Sequence, residues 1–166
     1  MEKKSGRKTA KRAVKIVLLA ASLALCGYVF YWMVSSVVTS GSWQSCKQEL
    51  TAAFLDAGSQ GAQAKYQGQV VDLDQMALSA YYNNLMAGSV YRSGGAPDHQ
   101  ETITLYLPGG TAVLAPVAGS DDAIQLQWTA GDRTRGFYLR TGLGFDHMVR
   151  AFAGAQERAA EIEKGA

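Results

Sequence analysis

The chain has 166 residues, of which 48% are hydrophobic and 18% charged, with a formal net charge of +2. That charge is divided: residues 1–15 hold seven Lys and Arg against Glu2, a net of +6, whereas residues 41–166 hold nine basic and thirteen acidic residues, a net of −4. The downstream part is long enough for one small domain with its own core, too short for two, and too acidic for nucleic acid to be an expected partner.

Residues 1–12 are polar, charged and without periodicity, and read as a mobile basic tail, with helix beginning near Arg12. The run Ile16–Val38 contains no charged residue, His, Asn, Gln or Pro over 23 residues. At about 1.5 Å per residue it reaches about 34 Å, enough for a hydrocarbon core of about 30 Å. Only a helix lets one isolated segment satisfy its backbone in lipid. Residues 13–40 are therefore expected to form a single transmembrane signal anchor, with the lipid bilayer as the first partner. The abutting cations place residues 1–12 in the cytoplasm and everything after the span outside it, at the cell membrane. Tyr28, Tyr31, Trp32 and Trp43 gather toward the outer boundary, where amphipathic rings favour the interface. The run exceeds the 7–15 residues of a cleaved signal's apolar region, although Val38-Thr39-Ser40 is a small-residue cleavage context. Leu23-Ala24-Leu25-Cys26-Gly27 resembles the lipobox of bacterial lipoproteins, which ends in a lipidated Cys. It departs from that pattern at Leu25, and the apolar run continues past it.

Thr39-Ser40-Gly41-Ser42 reads as an exit, with Ser42 able to cap a new helix. Residues 41–63 are expected to be a juxtamembrane amphipathic helix and loop. Trp43, Cys46, Leu50, Ala53, Phe54 and Ala57 share one helical face, and Gly58–Gln63 reads as flexible. Cys26 and Cys46 lie roughly 30 Å apart if the chain between them is helical, beyond disulfide reach. An unpaired thiol outside the cytoplasm makes Trp43 and Cys46 a candidate self-association face, bridged between copies.

Residues 64–166 are expected to form an extracytoplasmic α+β domain: an antiparallel meander of 4–5 strands packed by 2–3 helices in two layers. Lys65–Val71 reads as one short strand. Asp72 caps a helix to Ala87, with Gln75 reciprocal, Leu78, Tyr81, Tyr82 and Leu85 inward, and Gly88 as its stop. Ser89–Arg92 adds a short strand. Glu101–Leu107, Thr111–Ala115, Ala123–Thr129 and Thr134–Thr141 alternate apolar and polar residues between Gly-rich turns. Leu143–Lys164 is a helix with Phe145, Val149, Phe152, Gln156, Ala159 and Ile162 at helical spacing. The helix–meander–helix order over residues 65–155 loosely resembles small extracytoplasmic α+β domains of bacterial envelope proteins.

The sequence offers no catalytic constellation, so an enzyme is not expected, and neither is a cofactor. There is no G-x-S-x-G, Walker A, HExxH or CxxC pattern. Asp98, His99 and Glu101 sit together in a loop without a fourth ligand, and His147 follows Asp146 early in the last helix, so no metal is expected. Arg133 and Arg135 share one side of the last strand and form a basic end able to receive an acidic partner. Two functions are expected from different classes. One is a membrane-anchored interaction or scaffolding subunit of a bacterial-type envelope assembly, with a protein partner or a second copy. The alternative is a membrane-tethered ligand sensor, with a pocket between sheet and helices lined by Tyr81, Tyr82, Tyr106, Trp128 and Tyr138.

Overall fold

The computed structural model describes residues 5–97 and 100–165. It contains α1 (Ser5–Gln60), β1 (Gln63–Tyr66), β2 (Gln69–Asp72), α2 (Gln75–Ala87), β3 (Ser89–Gly94), β4 (Ile103–Leu107), β5 (Gly110–Val117), β6 (Ser120–Ala130), β7 (Arg133–Arg140) and α3 (Gly144–Gly165). The chain divides into two compact units, Met1–Val38 and Thr39–Ala166.

In the first unit, the described side chains from Val17 to Val38 are all exposed, Leu23, Leu25, Phe30 and Val37 by 65% or more. An apolar surface of that extent needs cover from something other than water. Among the described residues this is the one helix long and apolar enough to cross a membrane. Helix begins at Ser5, well before Arg12, because Ala, Lys and Arg are strong helix formers. It also runs through Thr39–Ser42, where the sequence suggests a break. With helix on both sides, Gly41 costs only its propensity, about 1 kcal/mol, and no second nucleation step is needed.

The second unit is an α+β domain with an antiparallel sheet of seven strands, more than the expected four to five, in the order β2-β1-β4-β5-β6-β7-β3. One of the extra strands comes from Lys65–Val71, which is a hairpin and not one strand. Gln67 and Gly68 both take positive φ, 48° and 81°, the pair of left-handed residues a two-residue primed turn requires. Gln tolerates this poorly, so the turn carries no Asn-Gly signature. The N-cap of α2 is Asp74, not Asp72: its carboxylate accepts from the Ala77 backbone N–H at 2.8 Å. Gly88 caps α2 in an extended conformation, with φ −63°, packed under Thr141 and Leu139.

Helices cover one face of the sheet. Trp43, Cys46, Leu50, Ala53, Phe54 and Ala57 of α1 are all buried, as their helical spacing requires. They meet Ile103, Leu105, Leu114, Ile124, Leu126, Phe137 and Leu139 from the strands. In α3 the buried set is Phe145, Met148, Phe152 and Ala155, while Gln156 and Ile162 face solvent. Each fully buried Leu, Ile or Phe contributes about 1.5–3 kcal/mol.

The strand order forces one unusual connection. β3 forms one edge and β4 lies beyond β7, β6 and β5, so the chain after Gly94 turns back over the sheet, with Gly95 and Ala96 on its helix-free face. There the Gln125 side-chain amide donates to the carbonyls of Gly95 (3.1 Å) and Ala96 (3.3 Å), which accounts for a buried glutamine on an otherwise open face. Gly136 lies beneath the crossing, and a Cβ there would run into the carbonyls of Gly94 and Gly95. Asp98 and His99 lie outside the described residues.

Candidate functional site

Register assigns each sequence-derived site residue to a face. Trp128 pairs opposite Arg135, and Leu126 opposite Phe137, on the helix-covered side. Tyr138 pairs opposite Gln125, and Tyr106 opposite Thr111, on the other side. The five aromatics of the ligand-pocket reading therefore do not line one cavity. Tyr81 is fully buried and donates its hydroxyl to the Met148 carbonyl at 3.0 Å; burial raises its pKa. Tyr82 packs edge-on against Phe54, with centroids 5.6 Å apart. Tyr106 is 43% exposed on the outer face.

Arg133 and Arg135 do form one cluster, but its acidic member is internal. Glu49 of α1 pairs with Arg135, reaches Arg133 at 3.4 Å, and accepts from the Trp128 indole N–H at 3.2 Å. Arg135 also donates to the Ser45 hydroxyl at 3.3 Å. The hydrogen bond from Arg135 is the main cause holding the Glu49 carboxyl below the usual carboxylate range, opposed by desolvation and helped by Trp128. The basic end of β7 is thus occupied by its own helix.

Trp43 and Cys46 are likewise turned inward, 3% and 0% exposed. Trp43 meets Phe137 edge-on at 5.3 Å. Burial pushes the Cys46 thiol up to about 12, against the opposing pull of Arg135. The face expected to bring two copies together is the face that α1 turns to the sheet.

The residues exposed for recognition lie elsewhere, at the β3–β7 corner of the outer face. Tyr91 and Tyr138 have ring centroids 6.1 Å apart at an interplanar angle of 50°. The Arg92 guanidinium lies 5.0 Å over the Tyr138 ring, and Arg140 lies 5.7 Å over Tyr91. Arg140 is also held by Asp122 at 3.1 Å. Two rings and two guanidinium planes thus brace one another on a surface where Tyr91 is 50% exposed. A bulge between Val90 and Arg92 in β3 sets Arg92 opposite Tyr138, so that Arg92 joins Tyr91 on this surface. Sequence reading singles out Tyr138 and misses Tyr91 and Arg92. Tyr91-Arg92 stands in β3 and Tyr138 and Arg140 in β7, and nothing local pairs strands so far apart in the chain.

Among the described residues, no group of three or more His, Cys, Asp or Glu is placed to hold a metal ion. The cavities are open grooves. One of about 330 Å³ lies between α2 and α3, lined by Met76, Ala77, Ala80, Arg150, Ala151 and Arg158. One of about 300 Å³ lies between α1 and the β4–β5 turn. No protein-family model, curated protein or solved structure matches the chain.

Proposed function

We propose that the chain is a single-pass, membrane-anchored interaction or scaffolding subunit of a bacterial-type envelope assembly. Its basic amino terminus is cytoplasmic, its domain stands outside the cytoplasm, and it works by binding, not by catalysis. The exposed lipid-compatible run and the cations before it support the anchor and its direction.

The observation that carries the binding reading is the Tyr91–Tyr138–Arg92–Arg140 corner. Tyr and Arg are enriched at interface hot spots: Tyr offers large amphipathic contact area with few rotatable bonds, and Arg a planar fork of donors on an apolar stem. Rings and guanidinium groups already stacked on one another forfeit less entropy when a partner docks. The ligand-sensing alternative draws less support, since its aromatics lie on two faces of the sheet.

Affinity capture of the full-length chain from gently solubilised membranes, beside a Tyr91→Ala/Tyr138→Ala variant, tests this reading. A protein retained by wild type and lost by the folded variant is the expected result. Identical captured sets would remove the corner from consideration. Protease added to intact cells is expected to cut the domain, and protection until the cells are permeabilised would reverse the orientation.

A further inference from the structure

We propose that β3, an open edge of the sheet, lies on the headgroup layer of the membrane that holds the anchor, with the Arg92 guanidinium bonded to lipid phosphate. The inference concerns the edge of the sheet, whereas the partner surface above is its outer face. It rests on the reading of residues 13–40 as a membrane span.

Position along α1 puts β3 at the membrane. Thr39 follows Val38, the last residue of the apolar run, so it stays within the outer headgroup layer, about 5–7 Å deep. Its hydroxyl shares a hydrogen bond of 2.8 Å with the Ser93 hydroxyl, in β3. Farther along α1, Trp43 meets Phe137 of β7, and Glu49 meets Arg135 of β7 and Trp128 of β6. Trp43 stands about 6 Å beyond Thr39 and Glu49 about 15 Å. The strands that α1 reaches after β3 are thus farther from the membrane. The other end of β3 is no farther from it than Ser93 is. Ser93 pairs opposite Phe137, and Ser89 opposite Arg140. As it leaves Thr39, α1 passes from Phe137 to Arg135 and Arg133, away from Arg140. The whole strand therefore comes to the bilayer, not its Ser93 end alone.

The chemistry of this edge suits phosphate. β3 pairs with β7 on one side, and its other side presents a row of backbone donors and acceptors that headgroups and their water satisfy. Ser89, Tyr91, Arg92 and Ser93 are all exposed. Arg92 is the one charged residue from Gln75 to Pro97, and Lys47 the one from Thr39 to Gln48, although residues 41–166 carry a net −4. Asp121 and Asp122 stand in β6, two strands back from the edge, and Asp122 is taken up by Arg140. The next acidic residue after β3, Asp98, lies outside the described residues. Arg92 has no ion-pair partner among the described residues. Its stack on Tyr138 steadies the guanidinium without neutralising it. A guanidinium meets phosphate with two parallel hydrogen bonds, and the half-exposed Tyr91 ring beside it is of the kind that favours headgroup level. A protein partner of the Tyr–Arg face then approaches along the membrane surface.

The test is the depth of a nitroxide label on β3 in the full-length chain, reconstituted into nanodiscs of phosphatidylcholine and phosphatidylglycerol. With Cys26→Ala in place and Cys46 buried, an introduced Ser89→Cys or Ser59→Cys takes the label. The Ser89 label is expected to be shielded from a water-soluble nickel complex. The Ser59 label, near the far end of α1, is expected to be open to it. Arg92→Glu should abolish the shielding at Ser89, and Arg92→Lys, which keeps the charge, should retain it. Tryptophan fluorescence and melting temperature verify that each variant is folded. A Ser89 label as open as the Ser59 label would overturn the proposal and leave the edge to water or a protein. Shielding indifferent to Arg92→Glu would overturn it as well. A chain released from vesicles by carbonate would remove the span and this proposal together, whereas a retained chain with an open Ser89 label removes the docking alone. None of those labelling outcomes bears on capture by the Tyr–Arg face.

Discussion

Removing Glu49 should cost this domain far more than removing the arginine it pairs with. The Trp128 indole is 1% exposed and gives its N–H to Glu49, and the Arg135 side chain is 18% exposed and paired to the same carboxylate. Glu49→Ala therefore orphans one fully buried donor and one largely buried cation. An unsatisfied buried N–H costs about 1–3 kcal/mol. An uncompensated charge costs up to about 3–5 kcal/mol when fully buried, and less here because water still reaches Arg135. A total of about 3 kcal/mol follows. Arg135→Ala leaves Glu49, whose side chain is 28% exposed, bonded to Trp128, near Arg133 and open to water. It also deletes the Arg135 Nε, a buried donor with no acceptor, so its cost should be about 1 kcal/mol. Urea unfolding of the full-length chain in non-ionic detergent, followed by tryptophan fluorescence, measures both. With a slope of about 1–3 kcal/mol per molar, Glu49→Ala should lower the midpoint by about 1–3 M and Arg135→Ala by a fraction of that. Equal shifts, or a larger shift for Arg135→Ala, would refute the claim that the carboxylate is the hub joining α1 to β6 and β7.

Acid should expose the same hub. The hydrogen bond from Arg135 holds Glu49 below the usual carboxylate range, and the one from Arg158 does so for Asp74. Their stabilisation is complete above the unfolded carboxylate pKa of about 4 and is lost as pH falls through the lower folded values. Melting temperature should drop steeply below about pH 4, and a Glu49→Gln variant should show a shallower slope than wild type. Gly136→Ala should cost about 1–3 kcal/mol by forcing the Gly94–Gly95 crossing off the sheet, whereas Gly95→Ala, with open space at its Cβ, should leave the melting temperature within about 1 °C. Cys46 in the native chain should resist a water-soluble maleimide at pH 7.5 and react at once in urea, and fast native labelling would contradict its burial.

Local periodicity carried much of the α+β architecture. The face of α1 from Trp43 to Ala57 is buried residue for residue, because a helix repeats its apolar positions within its own sequence. β4 and the second half of β7 alternate for the same reason, with a period of two, whereas β6 buries Ala123, Ile124, Gln125 and Leu126 in a row. Errors entered where geometry came from somewhere else. Gln67-Gly68 is a primed turn in which only Gly68 suits the left-handed backbone, and the pairings of β1 with β2 and of β1 with β4 hold Gln67 there. Asp72 and Asp74 are both competent caps, and the choice of Asp74 goes with its second partner, Arg158, 84 positions away. Ile162 continues the apolar spacing of α3 beyond the sheet that could cover it, so it stays 74% exposed.

The site was less visible because alternation separates the two faces of one strand but does not say which faces of different strands belong together. Trp128 and Tyr138 each stand within an alternating run, and both read as lining one pocket. Pairing Leu126 with Phe137 puts Trp128 under the helices and Tyr138 outside. Once Tyr138 is outside, the placement of β3 against β7 follows a topological constraint. The chain must return from that edge to β4, and it does so across the outer face, over Gly136. That crossing covers Gln125 and leaves the β3–β7 corner open. The Tyr91–Tyr138 stack is thus what remains of an aromatic-rich face after the connection has covered the middle of it. A longer or differently placed crossing would bury those rings, so an insertion of several residues after Gly95 should lower the accessibility of Tyr91 to a tyrosine-selective reagent while leaving Tyr106 as reactive as before.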